Sequence, residues 1–337
     1  MADEIFQTDR LSVERYTPAD EENFFVLNSD RLVMRYIRLI SDREESKHFL
    51  LQNIDNYTTS PMTGRWAVRA RDDGRFIGTF AILPLDQLNS WHVGYALLAN
   101  EWGKGFATEL LETGVSYAFR KMLLARLLAI VEPDNERSVR VLNKLAFQQL
   151  PDIRQDGKEL LLFEKKNQAV IETDRLLIAA LDPGQFDLYI KADNHLEKSL
   201  GLKTGERTIS PQLLEMIEQH SLPAMEKATE STYYFFTFWI IIDKAENQLV
   251  AEIGFKGLPN TRGEVELGYS TFPAFQQRGY MTEAVGAICR WCEGRAGIKS
   301  VTGETDIDNK PSQAVLRNNG FELVNKRENM LVWSKPI

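Results

Sequence analysis

Trp102-Gly103-Lys104-Gly105-Phe106-Ala107-Thr108-Glu109 and, 174 positions later, Gln276-Gln277-Arg278-Gly279-Tyr280-Met281-Thr282-Glu283 hold the same place in two halves of the chain. Each follows a segment of strand character and opens a helical one. Beyond the first, Leu111, Val115, Ala118, Phe119 and Met122 share one helix face; beyond the second, Val285, Ile288, Cys289 and Cys292 do. Small residues at such a junction let successive backbone N–H groups turn toward one point. The first helical turn leaves its N–H groups unpaired and partially positive, a cradle suited to phosphate. Lys104 and Arg278 add a cation to each. A plain strand-to-helix turn with solvated basic residues is the simpler reading of either stretch alone. Two familiar phosphate loops are excluded. No Gly-Lys-Ser/Thr completes a P-loop, and the Gly103-x-Gly105 start of a dinucleotide fingerprint meets Thr108 where a third glycine belongs.

Other landmarks recur in the same order. Gly94-Tyr95 returns as Gly268-Tyr269, and Asn135, Ser138, Leu142 and Phe147 return as Asn309, Ser312, Leu316 and Phe321, all at the same shift. Thr8-Asp9-Arg10-Leu11 returns as Thr173-Asp174-Arg175-Leu176. A repeat of half the chain means a duplicated domain and not a solenoid. The join is expected near Lys165–Glu172 (KKNQAVIE), charged and without a strong period, giving domains 1–167 and 168–337.

Each half checks the other. First strands are expected at Arg10–Tyr16 and Arg175–Leu181. Helices follow at Ala19–Leu27 and Glu44–Tyr57 in the first half and Pro211–Ala228 in the second, the last with Ser210-Pro211 as N-cap and first helical residue. Hairpins come next: Trp66–Arg71 with Phe76–Leu83 around Asp73-Gly74, and Phe238–Asp243 with Leu249–Phe255. The Gly-Tyr strand, the loop and its helix, a strand (Arg126–Glu132; Ser300–Thr305), a short helix and one or two closing strands (Glu159–Lys165; Asn329–Lys335) complete the unit. The order β-α-β-β-β-α-β-α-β predicts an α/β (α+β) fold with a mixed, mostly antiparallel sheet flanked by helices. A doubly wound parallel fold would need strict alternation.

The 337 residues, 43% hydrophobic and 26% charged, suit a globular chain that needs no disulfide or metal to hold a core. Forty basic against 48 acidic side chains argue against a nucleic-acid partner and mildly favour a cationic or amine-bearing one. The longest nearly apolar run, Tyr233–Ile242, is far short of the ~20 residues of a membrane span. Met1-Ala2-Asp3-Glu4 has no signal-peptide character, so a cytoplasmic location without membrane partners is expected. The aromatic cluster from Tyr233 to Trp239 reads as core. Cys289 and Cys292 read as small apolar residues on one helix face, and the scattered His48, His92, His195 and His220 offer no metal-ligand spacing.

With these motifs in this order, each half resembles the GNAT acetyltransferases. That family has a Q/R-x-x-G-x-G/A loop at a strand-to-helix junction, a preceding strand often reading GY, and a later Asn-x-x-Ser/Ala segment ending in GF. The second half supplies Gly268-Tyr269, Gln276-x-x-Gly279, Asn309-x-x-Ser312 and Gly320-Phe321. The first supplies Gly94-Tyr95, Gly105-x-Ala107, Asn135-x-x-Ser138 and Ala146-Phe147. Ser29–Ile37 (SDRLVMRYI) is similar to the acceptor-side helices of the subgroup that acetylates N-termini of ribosomal proteins. Trp102 stands in place of Gln/Arg, Met281 in place of Gly/Ala, and Ala146 in place of the glycine before Phe147.

The resemblance implies two tandem GNAT folds and acetyl-CoA as cosubstrate. Its pyrophosphate would lie on the two loops quoted at the outset, from Gly103 to Thr108 and from Gln276 to Thr282, and its pantetheine along the Gly94 or Gly268 strand. The reaction implied is direct attack of a primary amine, on a protein N-terminus or a small molecule. The amine must be neutral, although an α-amine has a pKa of roughly 7.7–8.0 and a lysine about 10.4. A carboxylate or imidazole can take its proton. The oxyanion needs a placed N–H donor, and the leaving thiolate, with a pKa near 8.5, can be protonated by a nearby hydroxyl. Glu266 and His92, each two residues before a glycine and on its strand face, are the expected general bases. A strand-surface charge and a structural histidine are the plainer alternatives. Ser312 and Ser138 are implied as proton donors, and Asn309 and Asn135 as pantetheine or backbone partners, though both Asn-x-x-Ser segments also read as helix N-termini. Tyr95 and Tyr269 read as sheet packing, and Glu109 and Glu283 as partners of the helix dipole. The rival reading is an acyl-CoA-binding regulatory or scaffold protein with one or both sites silent. A third is a division of labour within an intramolecular pseudo-dimer. Acceptor, acyl-chain preference, and monomer against homodimer stay open at this point.

Overall fold

The computed structural model describes residues 3–337 except 192, 208, 210, 230 and 231, with backbone alone at 211 and 212. Met1, Ala2 and the expected cap Ser210 lie outside the described residues. The chain divides into two compact units, Met1–Asn167 and Gln168–Ile337.

In the first unit β1 (Glu4–Gln7) and β2 (Leu11–Arg15) lead through α1 (Glu21–Ser29), α2 (Arg31–Met34) and α3 (Arg43–Asn56) to β3 (Gly64–Ala70), β4 (Phe76–Leu85) and β5 (Ser90–Leu97). Then come α4 (Phe106–Arg120), β6 (Arg126–Val131), α5 (Glu136–Lys144), β7 (Gln148–Gln155) and β8 (Lys158–Lys166). The second unit opens with β9 (Val170–Glu172) and β10 (Leu176–Ala180), then the helices α6 (Pro183–Ile190), α7 (His195–Ser199), α8 (Pro211–Met216) and α9 (Leu222–Lys227). It continues with β11 (Phe238–Asp243), β12 (Gln248–Phe255), β13 (Glu264–Thr271), α10 (Tyr280–Glu293), β14 (Ser300–Asp306), α11 (Lys310–Asn318), β15 (Glu322–Arg327) and β16 (Met330–Pro336). The sheets run β1-β2-β3-β4-β5-β6-β8-β7 and, equivalently, β9-β10-β11-β12-β13-β14-β16-β15. Among the described residues the β5/β6 and β13/β14 ladders are the parallel ones, beside an isolated parallel bridge from Lys203 to Gln248, so the mixed, mostly antiparallel expectation holds.

Strand alternation sorts the two faces. Trp66, Val68, Phe80, Ile82 and Val93 turn toward α4 and α5, which bury Leu110, Leu111, Val115 and Leu142 against them. On the other face Phe24, Leu27, Met34 and Leu50 cover Ala67, Phe76 and Ala96. Each large side chain so buried contributes about 1.5–3 kcal/mol. In the second unit Trp239, Ile241, Ile253, Val265 and Leu267 meet α10 and α11, and Tyr234 and Phe235 join this core as expected.

The differences from expectation have local causes. Edge strands β1 and β9 are four and three residues long, too short for alternation to show. β9 lies inside the expected join, so part of KKNQAVIE is ladder: Val170–Glu172 pair with Leu177–Ala179. β15 is exposed at every position and has no buried face to mark it. The expected element order lacks α6, yet Asp182 and Gln185 form its capping box. The single helix expected over Pro211–Ala228 is interrupted by a π-turn at Ile217–Ser221, just ahead of Pro223, whose nitrogen has no proton for the ladder. Cys289 and Cys292 are free and buried, and burial pushes their thiols up to about 11 and about 12, against thiolate chemistry. Among the described residues no helix is long and apolar enough to cross a membrane, and no group of three metal-ligand side chains converges.

Candidate active site

Both parallel ladders are short, and where they end the strands part. β5 and β6 pair only at His92 with Leu128. β13 and β14 pair from Glu264–Leu267 to Ser300–Gly303 and no further. From Gly94 and Gly268 onward, that edge of the strand therefore faces a gap, with backbone groups free to bond a third partner. The floor is open: a Cβ at Gly94 would meet nothing within 4 Å, and one at Gly268 only the Lys256 stem at 3.8 Å. An extended chain with its own amides can add to such an edge as a strand.

Each gap ends at a strand-to-helix loop. Gly103 and Gly105 take φ of 77° and 84°, and α4 begins at once. In the second unit Gly279 has φ 76°, and Gln277 takes the Gly103 place at φ 62°. The missing glycine leaves the path of the loop unchanged; a side chain is held in the left-handed region instead, at about 1–2 kcal/mol. The first helical bonds run from Glu109 N–H to Gly105 and from Glu283 N–H to Gly279. The N–H groups of Phe106, Ala107 and Thr108, and of Tyr280, Met281 and Thr282, thus precede any intrahelical acceptor. Trp102 and Gln276 anchor the loop in the same way: the indole N–H donates to the Leu97 carbonyl at 2.8 Å, the amide to the Thr271 carbonyl at 3.3 Å. Met281 points into the core, which explains a large residue beside the loop. The cations differ. Lys104 is held by the buried Glu101 at 2.9 Å, whereas Arg278 lies over the Phe275 ring and no described carboxylate pairs with it.

A brace behind each loop is absent from the sequence-based expectations. Glu109 accepts from the Thr8 hydroxyl, from Arg10 N–H at 2.9 Å and from Arg10 Nε at 2.7 Å, while Arg10 Nη1 donates to the Lys104 carbonyl at 3.1 Å. Thr173, Arg175, Glu283 and the Arg278 carbonyl repeat this at 2.6, 3.2, 2.7 and 3.1 Å. Burial opposes the charge on Glu109 and Glu283, but these bonds hold both carboxyls below the usual range. The two glutamates therefore do more than face a helix dipole: they tie the loop to the first strand. The signal for the brace is Thr-Asp-Arg-Leu, identical in both halves.

Asn135 and Asn309 cap α5 and α11, accepting from the N–H of Ser138 at 3.3 Å and of Ser312 at 3.1 Å. The Ser312 hydroxyl lies 2.8 Å from that of Tyr269, and the Ser138 hydroxyl 3.5 Å from that of Tyr95. The tyrosines expected only to pack thus reach the two serines, and burial raises both phenols, which keeps their protons on at neutral pH. His92 and Glu266 occupy equivalent ladder positions, on the faces of Gly94 and Gly268. Burial, and then the Arg65 charge, pull His92 below its ordinary value, so its imidazole is neutral near pH 7; its Nδ1 is buried without a partner. Glu266 is ion-paired with Lys256. A second carboxylate shares this face. Glu252 lies across from Ser270, accepts from the Tyr189 hydroxyl, and is pushed by burial up to about 7. The apolar run QLVAEIGF around it gives no hint of that role.

The pattern of the acetyltransferase (GNAT) domain matches residues 10–148 and again residues 175–322. The chain belongs to the GNAT acetyltransferases. This GNAT chain is 33% identical over 153 residues to the uncharacterized N-acetyltransferase YoaA of Bacillus subtilis (strain 168), a match covering 45% of this chain and 86% of that one. It is 31% identical over 147 residues to the uncharacterized N-acetyltransferase p20 of Bacillus licheniformis, covering 43% and 83%. Among solved structures it is similar to the ribosomal-protein-S5-alanine acetyltransferase from Vibrio fischeri, at 22% identity and a TM-score of 0.41, covering 48% and 96%. These relatives are about one unit long, and the GNAT chain carries the domain twice. It is an enzyme of the N-acetyltransferase class.

Proposed function

We propose that the chain moves acetyl from the thioester of acetyl-CoA to a primary amine by direct attack, with 1–167 and 168–337 each a complete acetyltransferase domain. The observation that carries this reading is the same in both units: a slot opened where parallel strands part, closed at one end by a cradle of helix-start N–H groups. The cradles from Gly103 to Thr108 and from Gln276 to Thr282 hold the pyrophosphate, with Lys104 and Arg278 adding charge. Strand N–H groups beyond Gly94 and Gly268 polarise the acetyl carbonyl. His92, already neutral, takes the amine proton in the first unit; Glu266 does so in the second once released from Lys256. The new C–N bond replaces the C–S bond, and Ser138 or Ser312, backed by Tyr95 or Tyr269, relays a proton to the thiolate and takes one back from solvent, to which the base releases the proton of the amine. Asn135 and Asn309 fix the helix starts that carry these serines. The acceptor is a protein N-terminus or a small amine, and the place of action the cytoplasm.

The Lys256–Glu266 ion pair favours a second reading for the second unit alone, in which it binds acyl-CoA with little turnover. Thiol release from acetyl-CoA against a panel of primary amines, with calorimetric titration of CoA, tests both. Amine-dependent release supports the enzyme. Binding without release for any amine supports the silent, regulatory reading, and no binding at either loop removes both.

A further inference from the structure

We infer that the first unit's acceptor site takes an amine that also carries a carboxylate a few bonds from the nitrogen, held by Arg65 and Arg38. This rests on the acetyl-transfer reading above. Arg65 lies near the start of β3, on the face of Gly94: its register partner is Ala81, whose own partner is Gly94. On that row the Ala81 methyl is the side chain between Arg65 and Gly94. The two backbones are two strand spacings apart, roughly 10 Å, and an extended arginine side chain bridges much of that span. Arg38 follows α2 and comes from the helical layer over the same face. Its guanidinium lies 4.4 Å from the centre of the Phe49 ring, and that of Arg65 lies 5.5 Å from the same ring.

This pair of cations is not neutralised from within. Arg38 Nη2 donates to the neutral Asn28 side chain, its Nε is buried without a partner, and no described carboxylate pairs with either guanidinium. Glu14 and Asp20, the acids on this side, are both engaged by Arg69. The Tyr16 hydroxyl and His92 Nδ1 are buried and unpartnered as well. Burial, and then the charge of Arg65, bring Arg38 down to about 10, and burial lowers Arg65 too. Two half-buried guanidiniums left without a counter-charge are unfavourable for the folded state. The planar fork of each matches a carboxylate, which would supply the missing charge and fill the open donors. The second unit lacks the device. Phe238 stands in the Arg65 place, packed on Phe186 and Tyr189 with ring centres 5.4 and 5.8 Å away, and Glu252 stands where the first unit has Thr79.

The test uses the full chain, acetyl-CoA and matched acceptors: an amino acid against its amide, and a short peptide with an acidic second residue against its neutral counterpart. The charged member of at least one pair should be preferred by about tenfold or more in kcat/KM, and Arg65→Gln should erase that preference by raising KM for the charged member to that of its neutral counterpart. Arg38→Gln should reduce it independently, and Arg65→Lys should keep most of it, which separates charge from folding. The pair with the larger preference tells a free amino acid from a peptide terminus. Equal use of charged and neutral members, or a preference that survives in both glutamine variants, overturns the assignment and leaves acetyl transfer standing. If no amine releases thiol, the transfer reading fails instead. Calorimetric binding of the carboxylate-bearing amine to wild type and Arg65→Gln then still decides the arginine site: an Arg65-dependent affinity supports it, and none overturns it.

Discussion

One row of the sheet reads Arg65, Ala81, Gly94 in the first unit and Phe238, Gly254, Gly268 in the second. Beside it Thr79 corresponds to Glu252, and His92 to Glu266. The cofactor side behaves differently. The Thr-Arg-Glu brace is repeated bond for bond, and even Trp102 and Gln276 donate to the same strand position. On the proposed reading the loop works through backbone N–H groups, and the left-handed backbone that aims them survives the change from Gly103 to Gln277. The other face differs in side-chain charge, with Phe238 at the Arg65 place and Glu252 at the Thr79 place. On the proposed reading, duplication has kept what would meet the cofactor and let go what would meet the acceptor.

The strongest way to break that comparison is to silence one cradle at a time. Gly105→Val and Gly279→Val each put a β-branched residue at φ 84° or 76°, a region such side chains avoid. Each variant should lose one of two CoA equivalents in calorimetry. In the Gly279→Val background all remaining turnover belongs to the first unit, and there His92→Ala should lower kcat by about 100-fold or more. In the Gly105→Val background Glu266→Gln should lower it by less, because Lys256 already engages that carboxylate. Equal losses would mean that the two bases work alike.

Stability against pH should separate the units next, with opposite signs. His92 is held below its ordinary value, so beneath about pH 6.5 the unfolded chain takes a proton that the folded one refuses, and the first unit loses stability as pH falls. Glu252 is raised from 4.5 to about 7. Between those values the folded chain keeps a proton that the unfolded one has released. Its contribution is complete below 4.5 and lost as pH rises through about 7. The displacement corresponds to something on the order of 3 kcal/mol by pH 8. Glu252→Gln should therefore raise the second unit's melting temperature by several degrees at pH 8 and hardly at all near pH 4.5, read by scanning calorimetry.

How far the molecule is legible in its sequence depends on the range of the interactions. The strand β11 and both Gly-Tyr strands are read from apolar runs and glycine punctuation, which are local. The glycine that starts each loop helix, Gly105 or Gly279, is equally local. What stays hidden is set by distant partners. Val170–Glu172 become strand through a ladder that a three-residue segment does not announce. Arg10 meets Glu109 across 99 positions. Arg65 reaches the Gly94 row only when two turns and two registers are known. Glu252 looks like an interruption in an apolar strand until α6 brings Tyr189 to it.

A smaller effect tests the cations of the loops. Lys104 shares its charge with Glu101, at whose place the second unit has Phe275. Arg278→Ala should therefore weaken CoA binding by about tenfold, roughly 1.4 kcal/mol, and Lys104→Ala by about twofold. Equal losses would show that the Glu101 pair opens when the pyrophosphate arrives, and the loops would then be alike in the bound state.

The smallest effect is also the most symmetrical. Each unit holds non-glycine residues in left-handed backbone where the other has glycine, among them Ala146 at φ 56° against Gly320 at 78°, and Gln277 at 62° against Gly103 at 77°. Neither turn can be avoided. Phe147 and Phe321 follow the first and are both buried, and the second aims the cradle. Replacing the strained residue by glycine removes about 1–2 kcal/mol of strain, while a freer unfolded chain takes back about 0.4–1. Ala146→Gly should thus stabilise the first unit by about 1 kcal/mol, a few degrees in melting temperature. Gln277→Gly should do the same for the second unit and leave CoA affinity unchanged. Should Gln277→Gly weaken CoA binding instead, the Gln277 side chain itself would be part of the second cradle. The two loops would then recognise the cofactor by different means, and the divergence seen on the acceptor face would extend to the other end of the slot.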